Sequence, residues 1–368
     1  MKKNFGLETT ELIFSVLKKE FHSLVARSLV SKKSFLDLKT RNPSQLLFPW
    51  TILKYERVSS DSPDNELIVT STCTHPLEFR KQLEYLKSNC KVISLSELVT
   101  SIRIGKEISP ETVVITFDGG FRNNFEVAFP ILKEINLPAT FFIPTGFIGT
   151  NQLIWQDQVA AAISVLVDSG RDFPVLNSIE REIAIELKES FTKSKSKVLL
   201  ARGVVAAIEF VAPQDRVNCI EEISFLIEGI KFEEPERFFM NWDEARECHA
   251  AGFEIGSLGR FGISLLELNK QELAEELHLS YETLFNNKIE PSRVFALPKG
   301  SVTEESEKFL FEMGFPYVVG EGFFSPFSSN DKAQIFKRIL VNNLNSKPLA
   351  RFICRVSQVK KLFSRENY

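Results

Sequence analysis

The most chemically loaded stretch of the chain is residues 113–122, VVITFDGGFR. An apolar, β-branched run there ends on a single carboxylate, Asp118, followed by two glycines. A short run of this kind reads as a strand buried on both faces, and α/β proteins place their reacting groups where such strands end. Desolvating a carboxylate is costly without a partner or a purpose. Asp118 therefore reads as a general base or ligand anchor, or else as the cap of the turn that follows it. Glu56 ends an earlier apolar run, TILKY, and either reaches the same mouth as Asp118 or lies on the surface. Two carboxylates in one water-poor pocket divide into an acid and a base, which makes this pair the candidate catalytic set.

The elements that must position these groups are legible as alternation. A helical pattern follows Asp118 through Phe125, Phe129, Ile131 and Leu132, and Pro138 opens a second apolar strand, ATFFI. Strand and helix patterns alternate over residues 46–345, as a parallel α/β sheet requires. Residues 158–237 turn helix-rich and charged and read as a helical insertion between strands. Ahead of the core, residues 1–45 form a helical arm and linker; Leu12, Ile13, Val16, Leu17, Phe21, Leu24 and Val25 share one helical face. Residues 346–368 pattern as an amphipathic C-terminal helix with six basic residues against Glu366. Its apolar side either docks on its own domain or makes a peripheral membrane or protein contact.

The motifs resemble those of the polysaccharide deacetylase family, metal-dependent sugar N-deacetylases. Family members read TFDDG where this chain reads TFDGG, and the PATFF and TGFI phrases that follow are both present. The resemblance implies a distorted (β/α) barrel, with Asp118 as the general base. It also implies that a metal ligand has become Gly119. The family's second motif follows a phrase kept here as NWDEARECHAAGFEIGS (241–257), and Leu258 and Gly262 stand where the family has its two metal histidines. No metal site and no zinc are therefore expected, and His22, His75, His249 and His278 all lie away from the motif positions. Glu56 replaces a family histidine, and Lys299 replaces the tyrosine of the third motif in RVFALPKG. Arg260 and Lys299 fall in loops that flank the family's metal position, where they would bind an anionic group or stand solvated. Arg122 matches the arginine after the first motif, and Trp155 and Trp242 match tryptophans near the family's cleft. These five residues are the candidate substrate-binding set. The reading is a carbohydrate-binding protein of surface-polysaccharide metabolism without zinc-dependent activity, or a carbohydrate deacylase with a site rebuilt on Asp118 and Glu56. The expected ligand is a carbohydrate, anionic or nucleotide-linked.

Composition narrows the setting. A net charge of −3 gives no electrostatic case for nucleic acid. Phe outnumbers Tyr and Trp by 33 to 5 and 3, which suits core filling without hydrogen-bond partners. Five scattered cysteines without CxxC spacing fit a reducing compartment. With no continuous apolar leader after the first lysines, the expected location is cytoplasmic.

Overall fold

Thr112–Asp118 forms β5, and all seven of its residues are buried, as its β-branched, apolar composition demands. The computed structural model describes residues 50–60, 72–171, 173, 176–179, 181, 184, 185, 187–189, 197–209, 211–227, 237–300, 302–321, 332–346 and 349–356. The helical arm and linker of residues 1–45, His22 among them, and residues 357–368 lie outside them.

Around β5 stand β1 (Thr51–Tyr55), β4 (Lys91–Val92), β6 (Thr140–Ile143), β7 (Glu254–Ser257), β8 (Phe295–Ala296), β9 (Tyr317–Gly320) and β10 (Gln334–Leu340). Their order is β7-β6-β5-β1-β10-β9-β8, with β4 beside the first residues of β5, and every pairing is parallel. A small parallel pair, β2 (Arg57–Val58) and β3 (Cys73–Thr74), stands apart. The sheet curls into a nearly closed α/β barrel ringed by helices. Its seam lies between β7 and β8, where the Ser292 N–H donates to the Ile255 carbonyl at 2.7 Å.

The period of two along each strand sorts side chains into lumen and exterior. Ile52, Val114, Phe142, Leu258, Ala296, Val319 and Phe336 fill the lumen as one cluster. Their strand neighbours, among them Leu53, Tyr55, Val113, Ile115, Phe117 and Phe141, face the outer helices. Because all strands run parallel, their carboxyl ends open at one mouth.

The surrounding helices start on their own signals. Helix α1 (Pro76–Asn89) has Pro at its first position and His75 as cap, whose Nδ1 accepts from the Leu77 N–H. Capping boxes built by Asn241 with Glu244 and by Asn269 with Glu272 open two further helices, Trp242–Ala250 and Lys270–Asn286. The helical pattern after Asp118 resolves into a π-helical turn, Asn124–Ala128, that continues as Phe129–Ile135. Between β6 and β7, helices Trp155–Ser169, Lys197–Glu209 and Pro213–Leu226 share an apolar cluster of their own. The final described helix, Leu349–Val356, buries Phe352, Ile353 and Val356; Phe352 meets Tyr85 of α1 edge-on at 6.5 Å, so this part docks on its own domain. Among the described residues no helix is long and apolar enough to cross a membrane.

Candidate functional site

Above the apolar lumen, the mouth holds a compact ionic cluster. Lys54 follows Ile52 on the lumen row of β1, Thr116 and Asp118 follow Val114 on β5, and Arg338 follows Phe336 on β10. The Arg338 side chain is fully buried and grips Asp118 bidentately, Nη1 to Oδ1 at 2.5 Å and Nη2 to Oδ2 at 2.7 Å. Its guanidinium also lies over the Phe142 ring at 5.5 Å. The Lys54 Nζ stands 3.5 Å from Asp118 Oδ2 and 2.9 Å from Glu56 Oε1, and it also contacts Glu321 at the end of β9. Burial by itself pulls the Lys54 pKa down; Asp118, Glu56 and Glu321 outweigh burial and the repulsion of Arg338, and the net shift is upward. Glu56 Oε2 accepts from the backbone and hydroxyl of Thr72, at 2.6 and 2.9 Å.

Asn124, fully buried, ties the two carboxylate-bearing segments together. Its Oδ1 accepts from the Phe121 N–H at 3.0 Å and its Nδ2 donates to the Glu56 carbonyl at 2.7 Å. The π turn that begins at Asn124 places this side chain under the mouth, a local irregularity often met beside functional sites.

The structure thus brings Asp118 and Glu56 to one cluster, joined by Lys54. The other candidate residues have different surroundings. The Arg122 Nε pairs with Glu126 at 2.6 Å. The Arg260 guanidinium lies over the Phe261 ring at 5.0 Å. The Lys299 Nζ pairs with Glu209 of the helical insertion at 2.7 Å. Trp155 and Trp242 each occupy the first position of a helix; Trp155 lies under the Arg216 guanidinium at 5.4 Å and Trp242 packs on the main core. The cations against Asp118 are Lys54 and Arg338, which the motif reading passed over. A signal existed: Lys54 lies two residues before Glu56 at the end of an apolar strand, and a charge inside such a strand needs a partner.

The side chains at the three positions matched to the family's metal ligands, Gly119, Leu258 and Gly262, carry no nitrogen, oxygen or sulfur donor. Gly119 sits at φ +106°, where an added Cβ would come within 2.3 Å of the Phe121 ring. Phe121 is held by stacking on Phe239 at 5.5 Å and by the Arg57 guanidinium at 4.7 Å. Leu258 is buried in the lumen cluster. Gly262, at φ +64°, contributes no side chain. Among the described residues no group of three or more His, Cys, Asp or Glu is arranged to hold an ion. The loop that would carry the histidines is instead fixed from below by Glu276, whose Oε1 accepts from the N–H groups of Arg260 and Phe261 at 2.7 and 2.9 Å.

A parallel barrel with a carboxylate at its mouth defines a broad class, and comparison with known proteins narrows it. Residues 105–174 match the family model for polysaccharide deacetylase. The chain is 31% identical over 107 residues to a poly-beta-1,6-N-acetyl-D-glucosamine N-deacetylase of Staphylococcus epidermidis, 27% of this chain and 37% of that protein. It is 38% identical over 73 residues to the enzyme of the same description from Staphylococcus aureus strain MSSA476, 20% of this chain and 25% of that one. The chain thus spans well under half the length of these relatives. Among solved structures, the fold is shared with the Streptococcus pyogenes deacetylase PplD, at a TM-score of 0.51 and 14% identity, covering 84% of this chain and 97% of that one. It is shared as well with IcaB from Ammonifex degensii, at a TM-score of 0.50 and 17% identity, covering 83% and 96%. The resemblance drawn from the motifs is supported over residues 105–174 by the family match and by these relatives: that part of the chain is similar to polysaccharide deacetylases, and the fold is the one their solved structures share.

Proposed function

We propose that this protein binds a saccharide, or a partner in surface-polysaccharide assembly, at the mouth of the barrel without zinc-dependent deacetylation. The observation that supports this reading is the state of the ligand positions: a glycine facing a phenylalanine ring, a leucine in the lumen core and a glycine without a side chain. In a metal-dependent deacetylase the ion polarises the carbonyl and activates water, and these residues offer no first shell for it. Asp118 would then act as an anchor, its two oxygens already engaged by Arg338. Within this reading the protein works in the cytoplasm, in keeping with described cysteines that are not joined in disulfides; recovery from the culture medium would speak against that location.

The test combines three measurements on purified protein: metal content after zinc exposure and washing, acetate release from N-acetylhexosamine oligomers, and thermal stabilisation by neutral and acidic glycans and nucleotide sugars. Expected are no stoichiometric zinc, no acetate, and a saturating stabilisation by at least one glycan. Acetate release lost on Asp118→Asn would instead favour the second reading, a deacylase rebuilt on Asp118 and Glu56. That reading draws on one observation: Lys54 links the two carboxylates in a single cluster.

A further inference from the structure

Lys54 is an improbable residue for the lumen of a barrel. Its side chain is 9% exposed, yet it keeps its charge among four charged groups at the strand ends of the mouth. The charged groups that face it are Glu56 just past its own strand, Asp118 on β5, Glu321 just past β9 and Arg338 on β10. An ammonium has three N–H donors and no acceptor. Three carboxylates meet it here, from three separate places in the chain.

We propose that Lys54 is the resident cation of this barrel: a tethered ammonium that gathers Glu56, Asp118 and Glu321 at the mouth and fixes their positions. The observations behind it are geometric. Glu56 and Glu321 stand just past the last residues of β1 and β9, and one oxygen of each turns toward the same nitrogen, while the other oxygen of Glu56 accepts from Thr72. Arg338 is committed to Asp118 through both terminal nitrogens, so Lys54 is the cation that reaches all three carboxylates. The motifs gave Arg260 and Lys299 as cations that would bind an anionic group or stand solvated; one lies over Phe261 and the other is paired with Glu209. Being covalently attached, the ammonium cannot be chelated or exchanged. The inference does not depend on the proposed saccharide.

The test is chemical rescue. Lys54→Ala removes the charge and leaves a slot three methylenes and an ammonium long, the length of propylammonium, whereas Lys54→Met fills most of the slot without charge. Both variants should unfold at lower temperature than wild type. Propylammonium chloride should raise the midpoint of Lys54→Ala along a saturating curve, sodium chloride at equal ionic strength should not, and Lys54→Met should respond to neither. Adding Glu321→Gln to Lys54→Ala should weaken the apparent propylammonium affinity about ten-fold, the loss of one charged hydrogen bond. Identical responses to propylammonium and sodium, or a Lys54→Ala protein as stable as wild type, would overturn the proposal. Should Lys54→Ala not fold, Lys54→Met/Glu56→Gln/Glu321→Gln decides: with the stranded charges removed it should fold, and its failure to do so would equally reject a gathering role.

Discussion

Arg338 and Asp118 form a buried, bidentate pair whose partners cannot be removed singly without stranding a charge. Arg338→Met should lower stability by about 3–5 kcal/mol in urea unfolding at neutral pH, because the carboxylate left behind has lost its strongest neighbour. A loss below 1 kcal/mol would mean that Lys54 alone suffices. Lys54 carries a pH signature of its own. Its folded pKa is raised above the unfolded value of about 10.4, so its contribution is fully present below that pH and fades only as pH rises through the higher folded value. The stability gap between wild type and Lys54→Met, followed by urea unfolding from pH 7 upward, should therefore stay constant to about pH 10. A gap closing by pH 9 would contradict the ion cluster. Neither cation was picked out from the sequence, since TILKY and QIFKRIL read as strands whatever side the charges face. Which residues share the lumen depends on register across β5, β1 and β10, and one chain does not display register.

At the scale of elements, the β7 strand and the loop after it show how a family motif can keep its backbone phrase and change its chemistry. Leu258, the residue just after the strand, lies inside the lumen cluster, and Leu258→Ala should cost about 2–5 kcal/mol as a core truncation. A loss within about 0.5 kcal/mol, the usual range for surface positions, would place Leu258 outside the core. The following loop hangs on Glu276. Replacing it with Ala should speed amide hydrogen exchange at Arg260 and Phe261 selectively, while the rest of the helix Lys270–Asn286 exchanges as before. The strands of the core and the placement of Asp118 at a strand end were legible as period and composition. The role of Glu276 was not: on a charged helix it looks like any solvated glutamate, and only the glycine turn at 259 brings backbone donors down to it.

For the whole molecule, the barrel and the helical insertion have separate apolar clusters, and ion pairs such as Lys299–Glu209 and Arg216–Glu267 join them. The Lys299–Glu209 pair is partly exposed, and such pairs contribute only about 0–1 kcal/mol. Lys299→Ala should therefore leave the unfolding midpoint almost unchanged; a large loss would show that this pair carries the attachment. The alternating pattern announced a parallel α/β core and, where it gave way to helix alone, the insertion; closure into a barrel came from the motif resemblance. The contacts between them are side-chain matters that no period records. One further property follows from where the three tryptophans fall. Trp50 meets Phe336 edge-on just before β1, at the end of the barrel opposite the mouth. Trp155 and Trp242 begin helices that start from the mouth side. The protein's own ultraviolet emission is therefore divided between its two poles. A single-tryptophan variant retaining Trp242 would report on an occupant of the mouth, while one retaining Trp50 would stay dark to it and serve as the internal reference, with no dye attached.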